Sequence, residues 1–407
     1  MPLPRAEIPQ MVSVRQELPR ERLDDVAGAV RQAFARGGVG ERVRAGQRIA
    51  ITAGSRGIAD IQLVIATVVA ELRRLGAEPF VVPAMGSHGG ATVEGQRGVL
   101  AEYGITEREV GAPVLASMET VVIGQLEDGT SVHLDKHAHD ADGIVVVGRV
   151  KPHTAFRGDI ESGLCKMTAI GLGKQRGAQA IHARGLRDSI PEVARVTLAR
   201  ANVVLGLALV ENAYHQLHTI EQANPGEFHD TDRRLLVVAN GLLARVPFDE
   251  LDVLVVGELG KNISGSGMDY NVVGMWRRIG GEKRPLYKRV VVLDITPESE
   301  GNGLGIGIAD FTTRRLFTKL DLGKGYMNAL TANAPETVKI PVILESDREA
   351  IEVALHSSNS RAPRVVWIKN TLALEELLVS EALLPDVAGL PTLSVAGEPG
   401  PLAFDGD

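Results

Sequence analysis

Four residues of the chain combine reactive side chains with neighbouring glycines. His88, His153, Lys166 and His182 occur in the segments AMGSHGG, VKPHTAFRG, SGLCKMTAIGLGK and AQAIHARG. Glycine-rich loops are a common place for chemistry on an α/β scaffold, because the backbone there can approach a ligand. An imidazole transfers protons near neutral pH or binds a metal, and a lysine amine can hold a group covalently. Together these residues predict an acid–base pair beside an anchored metal cofactor.

Each candidate also has a purely structural interpretation. His88 in GSHGG fits a turn histidine as well as a site residue, and His182 in AIHARG fits a histidine that caps a helix. Lys166 precedes the weakly charged stretch MTAIGLG, which favours a partly desolvated, reactive amine, although a phosphate-binding or surface lysine is the alternative. Arg56 in AGSRG has the planar guanidinium that can bind a carboxylate at two points, or it forms a surface ion pair.

Composition restricts the class of protein. A length of 407 residues predicts two or three domains, and 44% hydrophobic residues with only 4% aromatics predict an aliphatic core of the layered α/β type. A net charge of −7 argues against a nucleic-acid partner. Cys165 is the only cysteine, so an intrachain disulfide is excluded. Without an apolar signal segment or a membrane-length apolar run, we expect no membrane association and a cytoplasmic location.

Hydrophobic periodicity predicts alternating strands and helices, the order typical of parallel βαβ units. The predicted strands are 48–54, 79–86, 121–125, 131–135, 143–150, 251–259, 287–296 and 363–370. The predicted helices are 21–35, 58–76, 91–104, 188–201, 309–320 and 346–357. We therefore expect two α/β domains with mainly parallel sheets, residues 1–247 and 248–407, and an active-site crevice between them. Arg56, His88 and His153 each follow a predicted strand end, where such folds bind ligands.

The second domain contains one glycine-rich polar loop, KNISGSGMDYN (261–271). Its weaker candidates for substrate binding are Asn262, Ser264, Asp269 and Asn271, and a tight surface loop is the other interpretation. The dinucleotide, P-loop and serine-hydrolase signatures GxGxxG, GxxxxGK[ST] and GxSxG do not occur in a supporting context.

Arg56, His88, His153, Lys166 and His182, in this order, resemble the site residues of the nickel-dependent lactate racemase family. The resemblance runs from about Ile51 to Gly185, and the spacing of sixteen residues between Lys166 and His182 is its most specific part. It implies a nickel-pincer nucleotide (nickel pyridinium-3,5-bisthiocarboxylic acid mononucleotide) linked to Lys166, with His182 as the nickel ligand. It also implies His88 and His153 as the acid–base pair and Arg56 as a substrate ligand.

The family resemblance implies a reaction and partners as well. The histidines would move the hydroxyl proton of a 2-hydroxy acid, while the cofactor takes the Cα hydrogen as hydride and returns it to either face. Separate biosynthetic enzymes would supply the cofactor, so protein made in a host that lacks them would be empty.

Three departures from the lactate racemase pattern change the expected substrate. The loop between His153 and Lys166 is three residues longer, Ala53 stands where an acidic residue is expected, and Asn271 and Gly274 replace a glutamine and a lysine. The longer loop contains Arg157, Asp159 and Glu161. We therefore expect a 2-hydroxy acid that is larger or more polar than lactate, such as a sugar acid or a dicarboxylate.

Two other functions remain compatible with the sequence. A nicotinamide-dependent 2-hydroxy-acid dehydrogenase would use His153 as acid–base and Arg56 for the carboxylate, but it would need a dinucleotide site that has no signature here. A non-catalytic small-molecule binding protein would retain the crevice without the chemistry. The presence of His88, His153, Lys166 and His182 together argues against that reading.

Overall fold

The structure is a computed structural model, and it describes residues 3–404. The chain forms two compact units, one of residues Pro19–Leu243 and the other of the residues before Pro19 together with those from Ala244 onward. The strands are β1 (Met11–Gln16), β2 (Arg48–Ala53), β3 (Glu78–Pro83), β4 (Thr120–Gln125), β5 (Ser131–Asp135), β6 (Gly143–Arg149), β7 (Val203–Glu211), β8 (Leu217–Ala223), β9 (Glu250–Leu259), β10 (Leu286–Ile295), β11 (Phe311–Thr313), β12 (Val342–Leu344), β13 (Val365–Ile368), β14 (Glu376–Ser380) and β15 (Leu393–Val395).

Helices connect most of the parallel strands. They are α1 (Val26–Arg36), α2 (Val39–Arg42), α3 (Ile61–Arg74), α4 (Val93–Glu102), α5 (Glu107–Val110), α6 (Lys136–His139), α7 (Leu164–Lys166), α8 (Lys174–Arg184), α9 (Leu186–Arg200), α10 (Phe228–Leu242), α11 (Tyr270–Val273), α12 (Trp276–Ile279), α13 (Arg314–Thr318), α14 (Leu322–Thr331), α15 (Asp347–Ser358) and α16 (Leu384–Gly389). A π-helical turn, Met167–Gly171, lies between α7 and α8. None of the helices within residues 3–404 combines the length and apolar character needed to cross a bilayer.

The unit Pro19–Leu243 is built on a five-stranded sheet in the order β3-β2-β6-β7-β8. The first four strands are parallel, and β8 joins β7 in the antiparallel sense. Alternate residues of β2 enter different cores: Ile49 and Ile51 pack with α1 and α3, whereas Ala50 packs on the opposite face with α9 and α10. Burial on both faces explains why β2 and β6 are continuous apolar runs.

The other unit contains an eight-stranded mixed sheet in the order β12-β11-β10-β9-β13-β14-β1-β15. The first five strands in this order, from β12 through β13, are parallel to one another. Strands β14, β1 and β15 are each antiparallel to their neighbours. Both sheets are thus mainly parallel with helices packed on them, which confirms the predicted α/β class.

The observed division of the chain differs from the continuous segments 1–247 and 248–407. Strand β1 pairs with β14 and β15, so the N-terminal segment belongs to the unit that otherwise begins at Ala244. Val12 and Val14 of this strand are fully buried among the side chains of that unit. The partner strands of β1 lie more than 360 residues away in the sequence, so no local pattern shows to which unit β1 belongs.

Two local predictions were wrong. Residues 309–320 were expected to form one helix, but β11 occupies Phe311–Thr313 because it pairs in parallel with both β10 and β12. Only then does α13 begin, with the Thr313 side chain accepting the Leu316 N–H at 3.1 Å. No helix was predicted between residues 104 and 188, yet Lys174–Arg184 forms helix α8. His182 therefore lies in the last turn of a helix, and Gly185 at φ +98° ends it.

Candidate functional site

The candidate site lies at one edge of the five-stranded sheet. Arg56, His88 and His153 follow the carboxyl ends of β2, β3 and β6, which are adjacent parallel strands. The carboxyl ends of parallel strands meet at one edge, where α/β proteins bind ligands. The segment carrying Lys166 approaches the same edge, since a Cβ added at Gly54, just after β2, would lie 3.7 Å from the Met167 side chain.

His88 is exposed and is tied to the neighbouring loop. Its Nδ1 forms a hydrogen bond with the Ser55 hydroxyl, which either donates or accepts, so both neutral tautomers of the imidazole are compatible with the contact. The loop after His88 requires glycine: Gly89 has φ +64°, and an added Cβ would lie 2.7 Å from the backbone of the next helix. Ser55 precedes Arg56, so the His88 and Arg56 loops are directly joined.

His153 is half-buried, and two contacts fix its loop. Its backbone N–H donates to the Glu161 carboxylate at 2.7 Å, and its ring lies 4.6 Å from that of Phe156. The backbone N–H of Ala155 donates to Nδ1 at 3.1 Å. Because Nδ1 accepts this bond, the neutral imidazole carries its proton on Nε2 and presents a donor there. In this arrangement Nε2–H of His153 is a hydrogen-bond donor.

Lys166 is half-buried at the end of α7. Burial lowers the pKa of its amine to about 8, and the positive charges of Arg56, Lys151 and Arg149 contribute to the shift. The partial desolvation expected for this lysine is therefore present. A lysine with this pKa has a usable neutral, nucleophilic fraction near neutral pH.

A buried carboxylate holds the turn that presents Lys166. Asp232, on α10, is fully buried and accepts the backbone N–H groups of Leu164 and Cys165 at 2.9 and 2.8 Å. Gly163 precedes them at φ +101°, and an added Cβ would be 2.1 Å from the Asp232 carboxylate. The close approach therefore requires glycine. Burial raises the pKa of Asp232 to about 7, despite the opposing effect of the two N–H donors.

His182 is exposed near the end of α8. Desolvation by the surrounding protein lowers the pKa of its imidazole, and the charge of Lys166 lowers it further. Both effects favour the neutral imidazole, which is the form that binds a metal ion. Within residues 3–404, no three His, Cys, Asp or Glu side chains group closely enough to form a metal site by themselves.

Positive charge is concentrated around Lys166. Burial and the charge of Arg149 both lower the pKa of Arg56, with Tyr103 opposing them. Arg149 is itself held by the Glu211 carboxylate and donates to the Gly57 carbonyl at 2.9 Å. Several cations that depress one another's pKa favour the binding of an anion.

The structure thus brings the five principal candidates together on one unit. The charge of Arg56 lowers the pKa of Lys166, and the charge of Lys166 lowers the pKa of His182. His88 is joined to the Arg56 loop, and His153 lies two residues after Lys151. Sequence reasoning did not identify the residues that support them: Ser55, Arg149, Glu211 and Asp232. Glu161 was noted only as part of a longer loop. Their partners are distant in sequence, so no short motif reveals them.

The weaker candidates lie in the other unit, in the loop after β9. The Asn262 side-chain oxygen accepts from the Thr296 hydroxyl at 2.7 Å. Asp269 caps α11 and accepts from both the backbone and the side-chain amide of Asn271 at 2.8 Å. Beside them the Tyr270 hydroxyl is buried without a hydrogen-bond partner in the described part of the chain. Sequence reasoning missed this tyrosine.

A known protein family matches the part of the chain that carries the candidate residues. Residues 6–191 match the family model described as lactate racemase N-terminal domain, a range that includes all five principal candidates. This part of the chain is a lactate racemase N-terminal domain. A search of curated proteins found no significant match.

A solved structure with a similar fold is the lactate racemase apoprotein from Thermoanaerobacterium thermosaccharolyticum. The two chains superpose with a TM-score of 0.55 at 13% sequence identity, and the match covers 89% of this chain and 99% of the other. At this level of identity, the similarity establishes the fold. The family thus follows from the matched domain, and the α/β architecture extends beyond it.

Proposed function

We propose that this protein is a racemase or epimerase of a 2-hydroxy acid and works with a nickel-pincer nucleotide attached to Lys166. The observation that carries the proposal is the gathering of Arg56, His88, His153, Lys166 and His182 at one sheet edge of a lactate racemase N-terminal domain. These side chains supply an anion ligand, two proton carriers, a reactive amine and an imidazole ligand.

The residues fit the cofactor chemically. Lys166 has a pKa of about 8, which suits an amine that must lose its proton before it forms a covalent link. The neutral imidazole of His182 is a suitable ligand for nickel. The positive charges of Arg56, Lys151 and Arg149 around Lys166 favour a nucleotide phosphate or a substrate carboxylate. When bound, the nickel-pincer nucleotide supplies a reversible acceptor for hydride.

The chain's own residues would bind the substrate and move its hydroxyl proton. Arg56 is placed to receive the carboxylate, and its guanidinium stays charged at every physiological pH. One histidine accepts the hydroxyl proton as the Cα hydrogen leaves, and the other returns a proton to the oxygen of the opposite enantiomer. The contact of His153 with Ala155 places the proton of its neutral imidazole on Nε2, while the contact of His88 with Ser55 permits either neutral tautomer. Moving the hydroxyl proton separately from the Cα hydrogen avoids the formation of a carbanion beside the charged carboxylate.

The substrate is proposed to be larger or more polar than lactate. The family resemblance places a substrate-binding lysine at the position of Gly274, where the backbone has φ +107° and an added Cβ would lie 2.9 Å from Trp276 Nε1. Any side chain there is disfavoured, so the local structure is built around the loss of that lysine. Without that lysine the binding of the substrate carboxylate differs from the family pattern, which favours a 2-hydroxy acid other than lactate.

The attachment test uses protein co-produced with the enzymes that make the nickel-pincer nucleotide. Intact mass should rise by one nucleotide with stoichiometric nickel, and Lys166→Ala should abolish the increase. Lys174→Ala is not a suitable control because that lysine is buried, whereas Lys339→Ala removes an exposed lysine and should leave the increase intact. An unchanged mass in the wild-type protein would contradict the proposal.

The substrate test incubates loaded protein with single enantiomers or epimers of a 2-hydroxy-acid panel and follows chirality. We expect interconversion without added nicotinamide cofactor, and faster turnover of sugar acids or dicarboxylates than of lactate. Turnover only in the presence of NAD would instead support a dehydrogenase. Fast turnover of lactate above all others would contradict the proposed specificity while leaving the racemase assignment intact.

A further inference from the structure

A fully buried lysine and glutamine join the His88 loop to the segment between Lys166 and His182. Lys174 and Gln96 each have 0% exposure. Lys174 lies eight residues from both Lys166 and His182, at the start of α8, and its backbone has φ +52°. Neither residue belongs to the site as described so far.

The ammonium group of Lys174 has three partners. It donates to the Pro83 carbonyl at 2.5 Å and to the Gln96 side-chain oxygen at 3.1 Å, and it lies 3.0 Å from the buried carboxylate of Asp135. The first two contacts are hydrogen bonds, and the third is an ion pair in which Asp135 Oδ2 has no hydrogen-bond partner among the described residues. Asp135 is also fully buried, and its other oxygen accepts the Ala138 N–H at 2.9 Å. The buried charge is therefore paired.

Gln96 connects Lys174 to the loop that carries His88. Its side-chain amide donates to the Gly86 carbonyl at 3.0 Å and to the His88 carbonyl at 3.2 Å. The bridge thus runs from Asp135 through Lys174 and Gln96 to the backbone of His88. Because both protons of the amide are donated to these two carbonyls, a shift of the His88 loop would leave buried polar groups unpaired.

A second contact joins the same two segments. The Gly86 N–H donates to the Gly171 carbonyl at 3.2 Å, five residues after Lys166. A Cβ at Gly171 would lie 2.7 Å from the Ala84 carbonyl, so only glycine allows this approach. The two backbones are therefore in direct contact, and the buried side-chain bridge fixes their register.

We propose that Gln96 and Lys174 are positioning residues that fix His88 relative to the cofactor-bearing segment. They act through the His88 backbone and do not touch the reacting atoms. This inference rests on the proposed function for the role of His88 in catalysis, but the geometric claim concerns the chain without cofactor as well. A misplacement of about 1 Å in a reacting group can lower the rate by about 100-fold.

The test compares three variants. Gln96→Leu removes all the hydrogen bonds of the amide. Gln96→Glu keeps an acceptor for Lys174 but no longer donates to the Gly86 and His88 carbonyls. Leu100→Ala, one turn further along α4, removes fully buried apolar volume and controls for lost stability alone.

The first readout is the imidazole nitrogen spectrum of ¹⁵N-histidine-labelled protein without cofactor, with the His88 signals assigned by their loss in His88→Gln. Both Gln96 variants should move these signals, which report the bond to Ser55. Leu100→Ala should lower the unfolding midpoint and leave them in place. Unmoved His88 signals in both Gln96 variants, or equal shifts in Leu100→Ala, would overturn the inference.

The second readout uses loaded protein. Both Gln96 variants should retain the mass increase at Lys166 and an unchanged KM, while kcat falls by at least about tenfold. If the wild-type protein takes up no cofactor or racemises nothing, the proposed function fails, and the nitrogen spectra still decide whether Gln96 positions His88. Shifted spectra with an unchanged kcat in active protein would refute the catalytic part of the inference.

Discussion

Lys166 should react as a neutral amine at a pH where ordinary lysines do not. Burial, together with Arg56, Lys151 and Arg149, lowers its pKa from 10.5 to about 8. At pH 7 roughly one amine in ten is then neutral, compared with roughly one in 3,000 for an ordinary lysine, a ratio of about 300. Attachment of the proposed cofactor needs this neutral fraction.

The assay is competitive acylation of the protein without cofactor. A trace of an isotopically labelled anhydride is added at a series of pH values, and the labelling of each lysine is read by mass spectrometry of peptides. The midpoint of the pH profile is the quantity to compare, since partial burial also slows the approach of the reagent. Lys166 should show a midpoint near pH 8, with exposed lysines such as Lys339 as the reference.

Arg56→Gln provides the matched perturbation. It removes the largest single charge contribution to the shift, so the midpoint for Lys166 should move upward toward that of an ordinary lysine. Desolvation is the larger cause and stays in place, so the midpoint should remain below 10.5. A wild-type midpoint at or above 10.5 would refute the environment derived for Lys166, and with it the argument that this amine is prepared for covalent attachment.

Three further predictions concern the supporting structure. Because the pKa of Asp232 is raised to about 7, its contribution to stability is full below about pH 4 and is lost as the pH rises through 7. Asp232→Asn should therefore lower the free energy of unfolding by about 3 kcal/mol more at pH 5 than at pH 8, as measured by urea unfolding followed by circular dichroism. An equal loss of stability at both pH values would contradict the raised pKa. Lys174→Met should destabilise the protein by about 3–5 kcal/mol because it leaves the Asp135 charge unpaired, whereas Lys174→Met/Asp135→Leu should recover most of the loss; no recovery in the double variant would show that the packing, not the charge pair, sets the cost. Gly274→Lys should cost roughly 1–3 kcal/mol through strain at φ +107° and the contact with Trp276, without creating lactate turnover; a stable variant with gained lactate activity would contradict the substrate argument.

Most of the parallel-strand framework could be predicted from local sequence. The apolar runs of β2, β3, β6, β9 and β10 are recognisable because both of their faces are buried. The predicted strands 121–125 and 131–135 are confirmed as β4 and β5, which pair across the turn sequence EDGT, and the Thr92 side chain caps α4 by accepting the Gly95 N–H at 3.0 Å. These features depend only on neighbouring residues.

Features that depend on distant partners could not be predicted. Strand β11 reads as the start of a helix, and only pairing with β10 and β12 makes it a strand. Helix α8 was not recognised because its residues are mostly polar. Its first residue, Lys174, is buried in an ion pair with Asp135, so no apolar side chain marks the start of the helix. Long-range pairing of this kind overrides local propensity.

The candidate site shows the same division. Arg56, His88 and His153 stand next to glycine or proline, where a sequence pattern marks them. Asp232 and Gln96, which hold the loops in place, lie within helices α10 and α4 and contact residues 67 and 8 positions away. Nothing in their immediate sequence distinguishes them from solvent-facing polar residues. Positioning residues therefore become evident only from the contacts.

The most direct test of the central claim is the fate of the Cα hydrogen. Loaded protein is incubated with one enantiomer of an accepted 2-hydroxy acid that carries deuterium at Cα, without nicotinamide cofactor, and the product is analysed for chirality and label. Hydride transfer within the site predicts that the opposite enantiomer forms with deuterium retained at Cα. Racemisation with the label lost to solvent would show proton abstraction instead, and would contradict the proposed mechanism.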